Sequence, residues 1–270
     1  QVVTHVDCRP WDPLTERVWC ALIEKEECVC VCGYSVSVEH PVSMQQDALL
    51  RDCDPVQVAL MQEECIQVDE QDAVLGPVSK KTSHLMENIS SGMLHRAFSV
   101  FLFNSENKLL MHKRSSDKIT FPGYWTNTCC SHPLFFAEEM DTTQGNIGVK
   151  RAAVRKMEQE LGITSVSIED LTYISRLHYL APSDGVWGEH EIDHVLILKG
   201  DFEYSINPNE IEEVKYFSKD EMREFIDTAE AKGVNLSPWF LKIKEKWLWE
   251  VWDNLNDLSK VQDWETIHRL

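Results

Sequence analysis

The chain has 270 residues, a formal net charge of -19 and a sequence pI near 4.9. That length suits one sizeable core, or one domain with an extension, and 43% hydrophobic with 26% charged residues is ordinary for a globular protein. The acidic balance works against nucleic acid and anionic membrane as partners, and no apolar run approaches the ~20 residues of a membrane span. An anionic small molecule would need a local cationic pocket. The nine cysteines are odd in number and include the neighbours Cys129 and Cys130. Such usage argues against a secreted disulfide framework and for a reducing compartment. The sequence starts at Gln1, so an upstream targeting segment stays open.

Residues 1–55 hold six of the nine cysteines and an irregular apolar pattern. They read as an extension without an assigned role. Cys28, Cys30 and Cys32 alternate in a β-prone run, as buried thiols or, alternatively, soft-metal ligands. A regular pattern begins near Val56 and defines a second region, 56–270. Val56 to Asp69 leads into a polar turn at Asp69–Asp72, ahead of Gly76-Pro77. Ala97–Phe103 predicts an apolar strand, Asn104–Asn107 a hairpin turn and Lys108–Lys113 the returning strand. Arg114–Lys118 reads as a basic loop. Val149–Leu161 predicts a helix, with Ala152, Ala153, Met157 and Leu161 on one side and Gly162 at its end. Leu171–Leu180 and Ile192–Leu198 predict strands joined through Pro182–Gly185. Val214–Phe217 predicts a short strand, and Ser218 with Glu221 a capping box opening a helix to about Lys232. Ser237 reads as the N-cap and Pro238 as N1 of a long helix through Trp247, Trp249 and Trp252. Strands interleaved with helices, plus hairpins, give an α+β, mixed-sheet domain.

Several groups of residues could carry chemistry. In Thr126–Leu134, a thiol at Cys130 and an imidazole at His132 stand two residues apart, so an extended backbone puts them on one face. Trp187–Asp193 repeats the device with Glu189 and Glu191. Two such strands could close a site between them. His84, His95, His132, Glu189 and Glu191 are metal-ligand types from separate segments. Singly, each is an ordinary histidine or carboxylate. Together they exceed the four ligands of a closed zinc site and suit Zn2+, Mn2+ or Mg2+. Lys80, Arg114, Lys118, Arg151, Arg155 and Lys156 read as solvated charge or as a diphosphate clamp. In so acidic a chain, their grouping around the reactive stretches favours the clamp. Arg155–Gly162 resembles the second half of a Nudix box. Asp141 and Ile147 stand where Gly and Glu are expected, and Gln159 replaces one of the paired glutamates. A helix face of i, i+4 pairs explains this stretch nearly as well.

Taken together, Lys80–His84, Leu94–Val100, Thr120–Leu134, Trp187–Asp193 and Ser237–Trp239 resemble one family closely, type I isopentenyl-diphosphate delta-isomerase. The resemblance covers roughly residues 56–270. It implies a Nudix-like α+β fold, a mixed β-sheet flanked by helices with a modified box. It implies reversible isomerisation of isopentenyl diphosphate to dimethylallyl diphosphate. By position, Cys130 matches the catalytic thiol, Glu191 the catalytic carboxylate, and Tyr179 and Trp239 aromatics of the pocket, Tyr179 counted among the catalytic set. His84, His95, His132, Glu189 and Glu191 match ligands of one divalent metal. Glu160 matches the carboxylate holding Mg2+ on the diphosphate. Lys80, Arg114, Lys118 and Lys156 match diphosphate contacts, with Lys156 where some relatives carry Arg, so that a two-pronged contact is in question there.

The chemistry accounts for these residue types. Protonating an unactivated alkene leaves a tertiary cation. One group must deliver a proton to C4 while another removes one from C2 on the opposite face. Either the thiol or the carboxylate can be the acid, and the roles reverse with the reaction. Two other readings are a metal-dependent diphosphate hydrolase, against which the missing half-box counts, and a non-enzymatic metal or redox module. The end Arg269-Leu270 echoes a peroxisomal signal, weakened by His268, which leaves cytosol and peroxisome open. Monomer and dimer are both open.

Overall fold

A computed structural model describes residues 48–270. The Cys28–Cys32 run, and most of the expected extension, lie outside the described residues. Residues 50–270 form one compact unit. It begins ahead of the expected start at Val56, because Leu50 is buried with Met61, Leu85 and Trp187.

Strand β3, His95–Phe103, is the axis of a ten-stranded mixed sheet. All nine of its residues are buried, which is why Ala97–Phe103 is apolar apart from Ser99. Along one edge it pairs in parallel with β8, Gly188–Lys199, from His95 opposite Glu191 to Phe103 opposite Lys199. β8 pairs in turn with β7, Leu171–Pro182, and β7 with the short Ile267–Arg269 strand. The other edge of β3 is shared. β1, Glu64–Val68, meets it at His95, β6, Cys129–Ser131, meets it from Phe98 to Val100, and β4, Leu109–Arg114, meets it only at Phe103. β2, Val74–Ser79, lies beyond β1.

The expected β3–β4 hairpin therefore parts after one residue pair. Side chains open it. The Thr128 hydroxyl accepts the Leu102 amide at 2.8 Å and donates to the Leu110 carbonyl at 2.6 Å, standing where a backbone partner would. β4 continues with β9, Ile211–Phe217, and with the two-residue strand β5, Trp125–Thr126.

The two-residue period of β3 divides the core. Phe98, Val100 and Leu102 face the helix Thr143–Leu161, packing with its Ala152, Ala153, Met157 and Leu161. Phe101 and Phe103 face the Trp-rich helix, packing with Trp239, Phe240, Trp247 and Trp252. The first helix carries the predicted apolar face and ends where expected. Gly162 caps it at φ 64°, a left-handed conformation that glycine adopts without a Cβ penalty. The predicted capping box at Ser218 and Glu221 is present in the helix Lys219–Ala229. Pro238 does open the long helix, but the Ser237 hydroxyl does not cap it. That hydroxyl is drawn instead to Thr126 Oγ1, 2.8 Å away.

Candidate active site

The odd-numbered face of β3 and β8 changes character along its length. Phe101, Phe103, Val195 and Ile197 are core. Toward the start of β3 the same face carries His95 and Ser99, and toward the start of β8 it carries Glu189, Glu191 and Asp193, all buried. The sheet thus runs from oil to a closed polar cluster on one surface. His84 reaches it from the helix Lys80–His84, whose N-cap Ser79 accepts the Thr82 amide. His132 reaches it from just beyond β6.

The three imidazole rings lie 4.7, 4.9 and 4.9 Å apart between centroids. One potential ligand atom from each of His84, His95, His132, Glu189 and Glu191 lies within 4.8 Å of all the others. His132 Nε2 is 2.9 Å and His95 Nε2 3.4 Å from Glu191 Oε1, and His84 Nε2 is 2.8 Å from Glu189 Oε2. The Lys80 carbonyl accepts a hydrogen bond from His84 Nδ1 at 2.6 Å, which turns Nε2 toward Glu189. Burial, aided by neighbouring imidazoles, holds His132 well below the ordinary imidazole range. Burial also outweighs the Glu191 contact in holding His95 down. Burial would raise Glu189 and Glu191, but the facing histidines overcome it and hold both down. Neutral imidazoles and ionised carboxylates are what a cation binds. His84 Nε2, both ring nitrogens of His95 and Glu189 Oε2 are buried without a hydrogen bond. Such orphaned groups are costly in an apolar interior unless something else engages them. This N/O donor set fits a divalent metal ion.

Beside the cluster is a pocket lined by Cys130, Tyr179, Glu191 and Trp239, together with Lys80, Arg114, Lys118 and Glu160. The two strands expected to close a site between them are β6 and β8, and β3 lies between them. The link across β3 is the His132–Glu191 contact. Cys130 and Cys129 point to opposite sides, Cys130 into the pocket and Cys129 into the helix-facing core. Burial pushes the Cys130 thiol up to about 12, partly offset by Arg114. Tyr179 donates to Glu191 Oε2 at 2.5 Å. The Trp239 indole donates to Asn127 Oδ1 at 3.1 Å, and its ring meets Phe121 nearly at right angles.

The cations divide. Arg114, the last residue of β4 rather than part of a loop, donates to the Phe121 and Thr120 carbonyls, and its guanidinium lies 5.6 Å from the Trp239 ring centre. Lys118 is 2.5 Å from Glu210, and Lys156 is 3.0 Å from Glu160. Lys156 is buried behind Glu160 rather than lining the pocket. Arg151 and Arg155 do not belong to a clamp. Arg151 binds Asp141 and the Glu138 carbonyl, while Arg155 holds Glu139 and the His132 carbonyl.

Sequence reading missed Glu210 and Gln57. Gln57 lies in the short helix Pro55–Leu60, lines the pocket, and donates to Glu210 and Asn209. Nothing in the sequence pairs residues 92 positions apart, as Lys118 and Glu210 are. Burial pushes Lys118 down to about 8, against the pull of Glu210. Its charge, present below that value, is lost as pH rises through it. KM for an anionic substrate should therefore rise above about pH 8. Glu210→Gln should raise KM about tenfold at neutral pH, by the scale of one charged hydrogen bond, and move the alkaline rise to lower pH. Initial rates across a pH series check both, and an unmoved alkaline limb would contradict them.

The NUDIX domain model matches residues 93–240. Isopentenyl-diphosphate Delta-isomerase 1 of Mus musculus is 50% identical over 219 residues, covering 80% of this chain and 96% of the mouse protein. The chain belongs to the type I isopentenyl-diphosphate delta-isomerases of the Nudix superfamily. The Schizosaccharomyces pombe isopentenyl-diphosphate delta-isomerase is 47% identical over 232 residues, 84% of this chain and 99% of the yeast protein. Isopentenyl-diphosphate Delta-isomerase II, chloroplastic, of Arabidopsis thaliana is 48% identical over 226 residues, 80% and 79% of the two chains. The mixed sheet between helices is the α+β arrangement expected of this isomerase family.

Proposed function

We propose that the chain interconverts isopentenyl diphosphate and dimethylallyl diphosphate, with Cys130 and Glu191 exchanging the two protons. The observation that carries this is that Cys130 and Glu191 line one pocket with the Trp239 ring and the cations Lys80, Arg114 and Lys118. Burial pushes the Cys130 thiol up, and the facing histidines draw Glu191 down, the directions that suit a proton donor and a proton acceptor. A 1,3-allylic shift needs that pair, in either direction. Tyr179, donating to Glu191 Oε2 on the side away from the histidines, holds the carboxylate in its orientation. Trp239 offers its ring to the tertiary cation, an attraction of about 2 kcal/mol or more when desolvated. The buried walls exclude water that would trap that cation.

Lys80, Arg114 and Lys118 would grip the diphosphate, with Lys156 supporting Glu160 from behind. Glu160 would hold Mg2+ on the diphosphate. His84, His95, His132, Glu189 and Glu191 would hold the second divalent ion, for which Zn2+, Mn2+ and Mg2+ all suit the donors. Such an ion supplies positive charge that orients Glu191 and tunes its basicity. The modified Nudix box supports isomerisation over diphosphate hydrolysis, because one of the paired glutamates of the box is Gln159 here.

The direct assay is incubation with labelled isopentenyl diphosphate and Mg2+. An acid-labile allylic product is the expected result. Release of inorganic phosphate without it would favour a hydrolase.

A further inference from the structure

We propose that Thr126 is a positioning residue for the Cys130 thiol, tying the sulfur through Asn127 to the indole of Trp239. The inference rests on reading Cys130 as a proton-transfer group. Thr126, Asn127 and Ser237 are wholly buried. Thr126 Oγ1 lies 2.8 Å from Ser237 Oγ, 3.0 Å from Asn127 Oδ1 and 3.6 Å from Cys130 Sγ.

A hydroxyl has one proton and two lone pairs, so these contacts can be assigned. The Asn127 amide nitrogen donates to the Val100 and Cys129 carbonyls, each at 3.1 Å. Its oxygen is therefore the atom facing Thr126 and Trp239, and an amide oxygen only accepts. The Thr126 proton must go to Asn127. Ser237 Oγ donates to Thr126 and takes up one lone pair. The remaining lone pair faces Cys130, which leaves the thiol as donor. Every proton in the set then has one place to go, and the S–H bond has a single direction.

The frame beneath is rigid. The Trp125 amide donates to the Asn235 carbonyl, and the Ser237 amide to the Trp125 carbonyl. This ladder pins Ser237 beside Thr126. Asn127 Oδ1 also accepts the Trp239 indole at 3.1 Å. One asparagine oxygen thus joins the acid–base side of the pocket to its π face. A thiol a fraction of an ångström out of place loses rate rather than affinity.

Thr126→Val keeps the shape and removes the hydroxyl, and Thr126→Ser returns it. Thr126→Val should lower kcat about tenfold, as for one lost hydrogen bond, with KM within about twofold. Thr126→Ser should recover most of the rate. In Cys130→Ala, adding Thr126→Val should lower the residual rate no further, since the two act as one unit. The infrared S–H stretch of Cys130, isolated as the difference from Cys130→Ala, should shift to that of an unbonded thiol in Thr126→Val. An unchanged S–H band, or a Thr126→Ser as slow as Thr126→Val, overturns the proposal. So does full activity of Thr126→Val where Cys130→Ala is inactive. Activity retained by Cys130→Ala would instead refute the role of the thiol itself. Should Thr126→Val fail to fold, Thr126→Ala in the same measurements decides.

Discussion

Cys130→Ala and Glu191→Gln should each lower kcat by about 10²–10⁴-fold or more, the contribution of a positioned acid or base. Both changes are small in volume, so the fold should persist. Alanine at 130 removes a single sulfur from a strand held by its backbone pairing with β3. Glutamine at 191 keeps an oxygen for the Tyr179 hydroxyl but cannot hold a negative charge. The two losses should not multiply, because either mutant already lacks one half of a paired transfer. Turnover by labelled substrate, with circular dichroism for the fold, is the measurement. Near-normal turnover in either mutant would end the assignment. Glu191 is also in the candidate metal set, so metal content must be measured beside the rate. A Glu191→Gln protein that retains its metal yet is inactive isolates the proton-transfer role.

Removal of the metal should be as severe. A strong chelator should abolish activity, and restoring a divalent ion should return it. The stripped protein should also become sensitive to mild acid. Burial holds His95 and His132 below the ordinary imidazole value of 6.5. In the folded chain they take up protons less readily than in the unfolded chain, where protonation sets in below about pH 6.5. The unfolded state then binds more protons, so stability falls as pH falls through that range. Glu189 and Glu191, held below 4.5 by their histidines, add a further loss in stronger acid. Thermal melting of the stripped protein at pH 7.5 and pH 5.5 tests this. A melting temperature that does not fall at the lower pH would show that the cluster is not closed as described.

Much of this site was legible in residue types and spacing, because i, i+2 pairs need only an extended backbone to share a face. Glu189 and Glu191 show this, and β8 carries both into the cluster. The apolar faces of β3 and of the helix ending at Gly162 were equally plain, since period 2 and period 3.6 survive in composition alone. What stayed hidden was whatever depends on partners distant in sequence. Thr128 reads as an ordinary threonine, yet its hydroxyl separates β3 from β4 and admits β6. Arg155 reads as one more cation beside Lys156, but Glu139 claims it. Ser237 reads as a helix cap and spends its proton elsewhere. In each case a side chain had two lawful partners, and tertiary packing chose between them.

The wedge at Thr128 also sets where this chain can tolerate a change of length. The connection from 115 to 124 has little slack, because Lys118 and Thr120 line the pocket and Phe121 is buried in the core. Between Thr128 and Cys130 there is none, because the hydroxyl fixes the origin from which β6 counts. One residue inserted between Thr128 and Cys129 would rotate the strand by half its repeat. The inert sulfur and the reactive one would exchange sides, and an enzyme with both cysteines intact would present the wrong one to its substrate.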